Sequence, residues 1–116
     1  MEHTGNDLGV TSSAIHTISG SGGNPAFVKH YARVNDVATA FHVYGTVWTE
    51  NKIDFTVDGG VMGTYQRPTN STVSNWPFDN NQFMILNLAM GGTLGGTIDA
   101  NFTQSTMEID YVRVYQ

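Results

Sequence analysis

The sequence lacks cysteine altogether, has only three prolines and contains no hydrophobic run of membrane-spanning length. Without cysteine, disulfide bonds and thiolate metal sites are excluded. Without about 20 consecutive apolar residues, no transmembrane helix is predicted, and we expect no membrane partner. The length supports one domain at most, so we expect residues 1–116 to form a single domain.

Positive charge is also scarce. The chain contains five Lys and Arg residues and ten Asp and Glu residues, which gives a formal net charge of −5. The basic residues are scattered along the chain, and this argues against a nucleic-acid-binding surface. Glycine and aromatic residues are frequent, whereas charged residues make up 13% of the chain. This composition is typical of an all-β protein with many turns.

Short alternating segments predict strands along most of the chain, and no segment has sustained helical periodicity. The predicted strands are 11–18, 29–34, 40–49, 52–57, 61–65, 82–90 and 107–115. Asp58-Gly59-Gly60 predicts a tight hairpin, and the glycine-rich residues 19–25 predict a flexible loop. Seven short strands with regularly spaced turns predict a β-sandwich of the jelly-roll class, or part of one.

The segment 82–90 is uncharged and almost wholly apolar, which predicts a strand covered on both faces. Alternation places Asn87 among apolar residues on one face, while the other face is entirely apolar. A buried amide needs a hydrogen-bond partner or contact with a solvent-filled groove. We therefore expect Asn87 to line a binding groove, with an amide that ties two strands together as the alternative.

Core positions are predicted elsewhere from the same patterns. We expect Trp48 and the tyrosines of the last predicted strand, Tyr111 and Tyr115, to be buried. In that strand the further core candidates are Ile109, Val112 and Val114.

Several motifs, in the same order along the chain, resemble the C-terminal half of glycoside hydrolase family 16, particularly the laminarinase-type endo-β-1,3-glucanases. They are 1–7 (MEHTGND), 15–17 (IHT), 41–44 (FHVY) with Trp48-Thr49, 57–59 (VDG), 76–79 (WPFD), 85–92 (ILNLAMGG) and 107–115 (MEIDYVRVY). The resemblance implies a jelly-roll sandwich whose concave sheet forms a cleft for a β-glucan.

The family's catalytic signature is Glu-x-Asp-x-(x)-Glu on one strand, and its last Glu, the acid/base, matches Glu2. Retention needs two carboxylates about 5–5.5 Å apart. The nucleophile and the intervening Asp of the signature have no counterpart in this sequence. We therefore expect a fragment of a catalytic domain that is weak or inactive alone, because a lone acid cannot carry out double displacement.

The resemblance also implies substrate-binding residues. His16 lies near the catalytic element and is expected either to bind a sugar hydroxyl or to be a hydrogen-bonded structural residue. Trp76 is expected either to stack on a glucose ring or to pack in the core or a loop. We expect Asn87 and Glu2 to share one concave groove.

Asp110 matches a family position that binds a structural Ca²⁺. Calcium requires several oxygen ligands, and the family's other ligands have no counterpart here, so we do not expect this chain to hold the ion firmly. The resemblance further implies secretion from the cell, although no signal sequence is visible.

Three functions follow from these observations. The first is an endo-β-1,3(4)-glucanase that acts with retention, and the second is a non-catalytic β-glucan-binding module. The third is an assembly unit that self-associates through exposed sheet edges and an apolar face.

Overall fold

A computed structural model describes residues 1–19 and 28–116 and shows two three-stranded antiparallel sheets. The first sheet contains β1 (Glu2–His3), β2 (Val10–Ile15) and β3 (Val28–Arg33), with β2 in the centre. The second contains β4 (Tyr44–Trp48), β5 (Lys52–Val57) and β6 (Gly60–Gln66), with β5 in the centre. A 3₁₀ turn at Pro77–Asp79 and a one-turn helix, α1 (Gly92–Gly95), follow.

The all-β prediction is confirmed, and the strands predicted at 52–57, 29–34 and 61–65 match β5, β3 and β6 within a residue. Neither short helix in the described part of the chain is long or apolar enough to cross a membrane. The flexible loop predicted at 19–25 lies, except for Ser19, outside the described residues.

The predictions of strands at 82–90 and 107–115 are wrong. Both segments lack strand pairing, and every residue in them is exposed, including Asn87. A strand forms only when a neighbouring strand supplies its hydrogen-bond partners and another layer covers its apolar face. No strand among residues 1–19 and 28–116 pairs with either segment. The apolar side chains of both segments are therefore exposed.

The core lies between the two sheets and is small. Its buried side chains are Ile15 from the first sheet, Ile53 and Phe55 from the second, and Trp76 from the connection after β6; Met62, Tyr65 and Phe78 pack around them.

The predicted burial of Trp48 and the C-terminal tyrosines is wrong. Trp48 is 46% exposed because β4 is an edge strand, and Tyr111 and Tyr115 are exposed with the rest of their segment. The core candidates of that segment, Ile109, Val112 and Val114, are exposed as well.

The sheets contact each other mainly through β3 and β6, where one glycine allows a close approach. A Cβ atom at Gly63 would overlap the imidazole ring of His30 on β3. Beside it, Met62 is the extra residue of a β-bulge, because Thr56 pairs with Val61 and Phe55 pairs with Gly63. The bulge turns the Met62 side chain toward the first sheet, where its sulfur lies 3.8 Å from the Ser13 hydroxyl.

The β5–β6 hairpin has the predicted tight turn, and the turn anchors the segment before β4. Asp58 and Gly59 both have positive φ angles, 50° and 81°, as a type I′ turn requires. One Asp58 oxygen accepts the Val43 N–H at 2.8 Å, and the other accepts the His42 Nδ1–H at 2.8 Å. His42 Nε2 lies 3.2 Å from an oxygen of Asp36. The imidazole therefore hydrogen-bonds to the Asp58 carboxylate and lies close to that of Asp36, and this bridge holds the chain before β4 against the hairpin.

This bridge predicts a pH-dependent contribution to stability. The hydrogen bond to Asp58, aided by the charges of Asp58 and Asp36, raises the pKa of His42 above 6.5. The same bond lowers the pKa of Asp58 below 3.8. The bridge stabilises the fold fully below the unfolded pKa of histidine, and it loses strength as the pH rises through the folded pKa. Acidification through the folded pKa of Asp58 also weakens it. We expect His42→Gln to cost more stability at about pH 5.5 than at about pH 8.5, as measured by urea unfolding.

The control for this prediction is Asp58→Asn, which keeps the shape of the turn but removes one carboxylate. In the Asp58→Asn background, His42→Gln should show a smaller dependence on pH, because the main partner of the imidazolium is gone. An equal cost of His42→Gln at both pH values would contradict the bridge.

Candidate active site

Glu2 lies on the face of the first sheet that points away from the core. β1 pairs antiparallel with β2, and Glu2 is opposite Ser12, which is in turn opposite Tyr31 on β3. Directly paired residues point to the same face of a sheet. The next residues of β2, Ser13 and Ile15, alternate to the other face, and Ile15 packs in the core. The register therefore separates the candidate catalytic carboxyl from the packing side of the sheet.

A partly open cavity of about 230 Å³ lies beside the Glu2 side chain. It is lined by Glu2, Thr4, Asp7, Val10, Ser12, Lys29, Tyr31 and Leu94. Leu94 belongs to α1, and its carbonyl oxygen accepts a hydrogen bond from the Asn6 side chain at 3.2 Å. This bond links the glycine-rich segment to the turn after β1, so that α1 forms one wall of the cavity.

The Glu2 carboxylate is held by an ion pair. Lys29 Nζ donates to a Glu2 oxygen at 2.8 Å, and the Ser12 hydroxyl lies 3.4 Å from the same oxygen. The hydrogen bond from Lys29 lowers the pKa of Glu2, and burial opposes that effect only partly. The reciprocal bond raises the pKa of Lys29. At neutral pH, Glu2 is therefore a carboxylate beside an ammonium group.

Lys29 and Tyr31 are site residues that the sequence analysis missed. The ammonium group of Lys29 lies 5.5 Å from the centre of the Tyr31 ring, and Tyr31 is 64% exposed. An exposed aromatic ring beside a charged pair is suited to sugar contacts, because the C–H face of a pyranose packs on aromatic rings. The signal was available: positions 29 and 31 share one face of a strand that was predicted correctly.

His16 lies one residue beyond β2 and is exposed. It is not among the residues that line the Glu2 cavity. Its charge nevertheless contributes to lowering the pKa of Glu2, although this is the smallest of the effects on that group. The structure thus places His16 near enough for an electrostatic influence, and its contact with a sugar stays a prediction.

The expected common groove for Asn87 and Glu2 is not formed. Asn87 is exposed on an extended segment and does not line the cavity that contains Glu2. The strand that was expected to carry its amide to the concave face is missing among the described residues. A direct part for Asn87 in substrate binding therefore has no support in this arrangement.

Trp76 is buried in the core, with 2% of its surface exposed. The Tyr65 ring stacks on its indole at 5.7 Å, and the Arg67 guanidinium lies 5.4 Å from it. Its Nε1–H donates to Asp79 at 3.1 Å. Of the two alternatives for Trp76, the geometry favours packing, because the ring has no free face of the size of a sugar.

Asp110 is exposed, and the described residues contain no group of three His, Cys, Asp or Glu side chains able to hold a metal ion. Calcium needs six to eight oxygen ligands. The described residues thus provide no cluster of carboxylates around Asp110, and its part in calcium binding stays a prediction.

The family model for glycosyl hydrolases family 16 matches residues 1–113. The chain belongs to this family. It is 36% identical to glucan endo-1,3-beta-glucosidase A1 of Niallia circulans and 32% identical to keratan-sulfate endo-1,4-beta-galactosidase of Sphingobacterium multivorum, in both cases over 100% of this chain. The crystal structure of laminarinase from Flavobacterium sp. UMI-01 superposes with a TM-score of 0.60 at 28% identity over 66% of this chain.

The family 16 relatives are much longer than this chain. It spans 18% of the Niallia protein, 27% of the Sphingobacterium protein and 32% of the laminarinase chain. The chain is therefore similar to a part of each relative, and the similarity identifies it as a glycoside-hydrolase homologue with a β-sandwich-type fold.

The packing position of Trp76 gives a testable magnitude. Trp76→Ala removes a buried indole and should lower the free energy of unfolding by about 3–5 kcal/mol. If the tryptophan were on the surface and available for sugar stacking, the same substitution would lower the free energy of unfolding by about 0.5 kcal/mol or less. Urea unfolding monitored by circular dichroism measures the difference. Trp48→Ala, at a half-exposed position on an edge strand, is the matched control and should cost clearly less.

Proposed function

We propose that this chain carries the acid/base side of an endo-β-1,3(4)-glucanase site that acts on internal glucosidic bonds with retention. The observation that carries the proposal is the position of Glu2. This carboxyl lies in a cavity on the non-core face of the first sheet, in a chain that belongs to family 16. The names of the Niallia relative and of the laminarinase support a β-1,3-glucan as the substrate.

In this proposal, Glu2 protonates the leaving glycosidic oxygen and later deprotonates the incoming water. Retention also needs a carboxylate nucleophile about 5–5.5 Å away, on the other side of the bond. Among the described residues that line the cavity, the other carboxylate is Asp7, and its Oδ1 accepts the Gly9 N–H at 3.1 Å within a turn. Asp7 thus stabilises the loop after β1, and we assign it no nucleophilic role.

A test of the proposal is reducing-end release from laminarin by the 116-residue chain. Because the described residues that line the cavity with Glu2 provide no nucleophile, we expect little or no turnover. Whatever turnover occurs should disappear in Glu2→Gln, which keeps the size of the side chain but cannot donate a proton in the same way. Activity that survives Glu2→Gln would contradict the role of Glu2. Keratan sulfate is the comparison substrate, and faster release from it would contradict the choice of β-glucan.

A non-catalytic β-glucan-binding module is the second candidate. The exposed Tyr31 ring beside the Lys29–Glu2 pair favours it, because stacking and hydrogen bonding suffice for binding without cleavage. Under this alternative, laminari-oligosaccharides bind saturably to the cavity and stay intact, and Glu2→Gln alters the affinity without altering any rate of cleavage. Absence of binding in a titration followed by NMR would remove both candidates.

We also propose an extracellular setting, in keeping with a polysaccharide substrate, and self-association through apolar surface. Within 82–90, Phe83, Ile85 and Met84 are each at least 60% exposed. Exposed apolar patches of this kind drive association in water.

Size-exclusion chromatography with light scattering should therefore show dimers or larger species at micromolar concentration. Ile85→Lys, which puts a charge in the middle of the segment, should shift the population toward the monomer. Val73→Lys is the control, since Val73 is also exposed but lies outside the segment. A clean monomer of the unmodified chain would exclude self-association.

A further inference from the structure

Lys29 reaches Glu2 across the central strand of the first sheet. Glu2 is opposite Ser12 on β2, whereas Lys29 on β3 is opposite Ala14, two positions further along the same strand. The Lys29 side chain therefore runs diagonally over β2 to its contact with Glu2. It is 21% exposed, so most of its aliphatic stem is covered, while its ammonium group reaches the carboxylate at 2.8 Å.

We propose that Lys29 is the positioning residue for Glu2: it fixes the orientation of the carboxylate in the cavity, and a glycan that uses Glu2 must compete with it. The inference rests on the proposed function in that Glu2 is taken as the acid/base. Nothing in the catalytic signature of the family 16 motif requires a lysine at this place, and the assignment comes from the contact itself.

The consequence for catalysis follows from the charge of the pair. A general acid must hold a proton before it can donate one, and an ammonium group in contact favours the ionised carboxyl. Glu2 paired with Lys29 is therefore set up as a base, and it becomes a competent acid when the pair separates. The Tyr31 ring lies next to the ammonium group and offers it a second position through a cation–π contact.

The other charged and titratable groups near Glu2 are few. His16 favours the ionised carboxyl weakly, and Asp7 and Tyr31 line the same cavity. Leu94 of α1 adds an apolar wall. Lys29 is thus the cation in direct contact with Glu2 among the residues that line the cavity, and its removal should be visible in the titration of Glu2.

The test is an NMR titration of the Glu2 side-chain carboxyl carbon in the 116-residue chain, with no substrate and no dependence on activity. In Lys29→Met, which keeps the length of the stem, the pKa of Glu2 should rise, because the hydrogen bond and the charge of Lys29 no longer oppose the effect of burial. Lys29→Arg should restore the lowered pKa, since a guanidinium also donates to a carboxylate. A role for Lys29 in packing alone would leave the pKa of Glu2 unchanged in Lys29→Met.

Lys52→Met is the matched control. Lys52 contacts Asp54 at 2.7 Å on the second sheet, so its replacement removes an equivalent pair at a distance from Glu2. It should raise the pKa of Asp54 and leave that of Glu2 unchanged. A shift of the Glu2 pKa of the same size in both variants would overturn the proposal, because it would reflect net charge rather than contact.

A titration with saccharide tests this inference separately from the proposed function. Addition of laminari-oligosaccharides to the unmodified chain should raise the pKa of Glu2 toward the value in Lys29→Met and move the signal of the Lys29 side chain. Bound saccharide with an unchanged Glu2 pKa would overturn the competition between glycan and Lys29. Failure of any saccharide to bind would count against the proposed function, while the shift in Lys29→Met would still decide whether Lys29 positions Glu2.

Discussion

The contact between Ile15 of the first sheet and the apolar side chains of the second is the packing on which the rest of the structure depends. Ile53 and Phe55 reach it from the central strand β5, and Trp76 closes it from the connection after β6. With so few buried side chains, each carries a large share of the hydrophobic stabilisation. Trp76 also fixes the connection itself, because Tyr65 stacks on its ring and donates a hydrogen bond from its hydroxyl to the carbonyl of Asn75 at 2.8 Å.

The strands that were predicted correctly are determined by their local sequence patterns. In β5, alternation put Ile53 and Phe55 on one face and Asp54 on the other, and the structure buries the first two between the sheets. The hairpin after β5 was predictable for the same reason, since Asp58 and Gly59 tolerate the positive φ angles of the turn. Local conformation and local partners decide such elements, so a single sequence suffices to find them.

The prediction of a strand at 82–90 was wrong because strand formation there depends on residues that are distant in the sequence. Its apolar run is long and uncharged, but a strand covered on both faces needs two neighbours and two layers. The described residues supply neither, so Asn87 lies in solvent rather than in a groove. The site was predicted in part. Glu2 was found from a motif, and the strand pattern placed Lys29 and Tyr31 on one face, but their position beside Glu2 depends on the pairing of β3 with β2, which no motif contained.

Two of the five basic residues connect different elements of the structure. Lys29 joins β3 to Glu2 on β1, and Arg67 joins the end of β6 to Asp79 in the 3₁₀ turn through two hydrogen bonds of 2.7 and 2.8 Å. Exposed ion pairs contribute little to stability individually, typically about 1 kcal/mol or less. Their main effect here is on geometry: paired carboxylates keep defined directions, and in the case of Glu2 that direction points into the cavity.

Alternate residues of β2 face the core and the cavity that contains Glu2, so one strand contributes to both. Ser12 pairs with Glu2, whereas Ser13 and Ile15 point to the other face, toward the second sheet. A change at Lys29 therefore acts on the face away from the core, while a change at Ile15 acts on the core, where no other packing compensates for it. Because Lys29 and Glu2 lie on the opposite face from Ile15, an effect of Lys29 on the titration of Glu2 can be distinguished from an effect on the core packing.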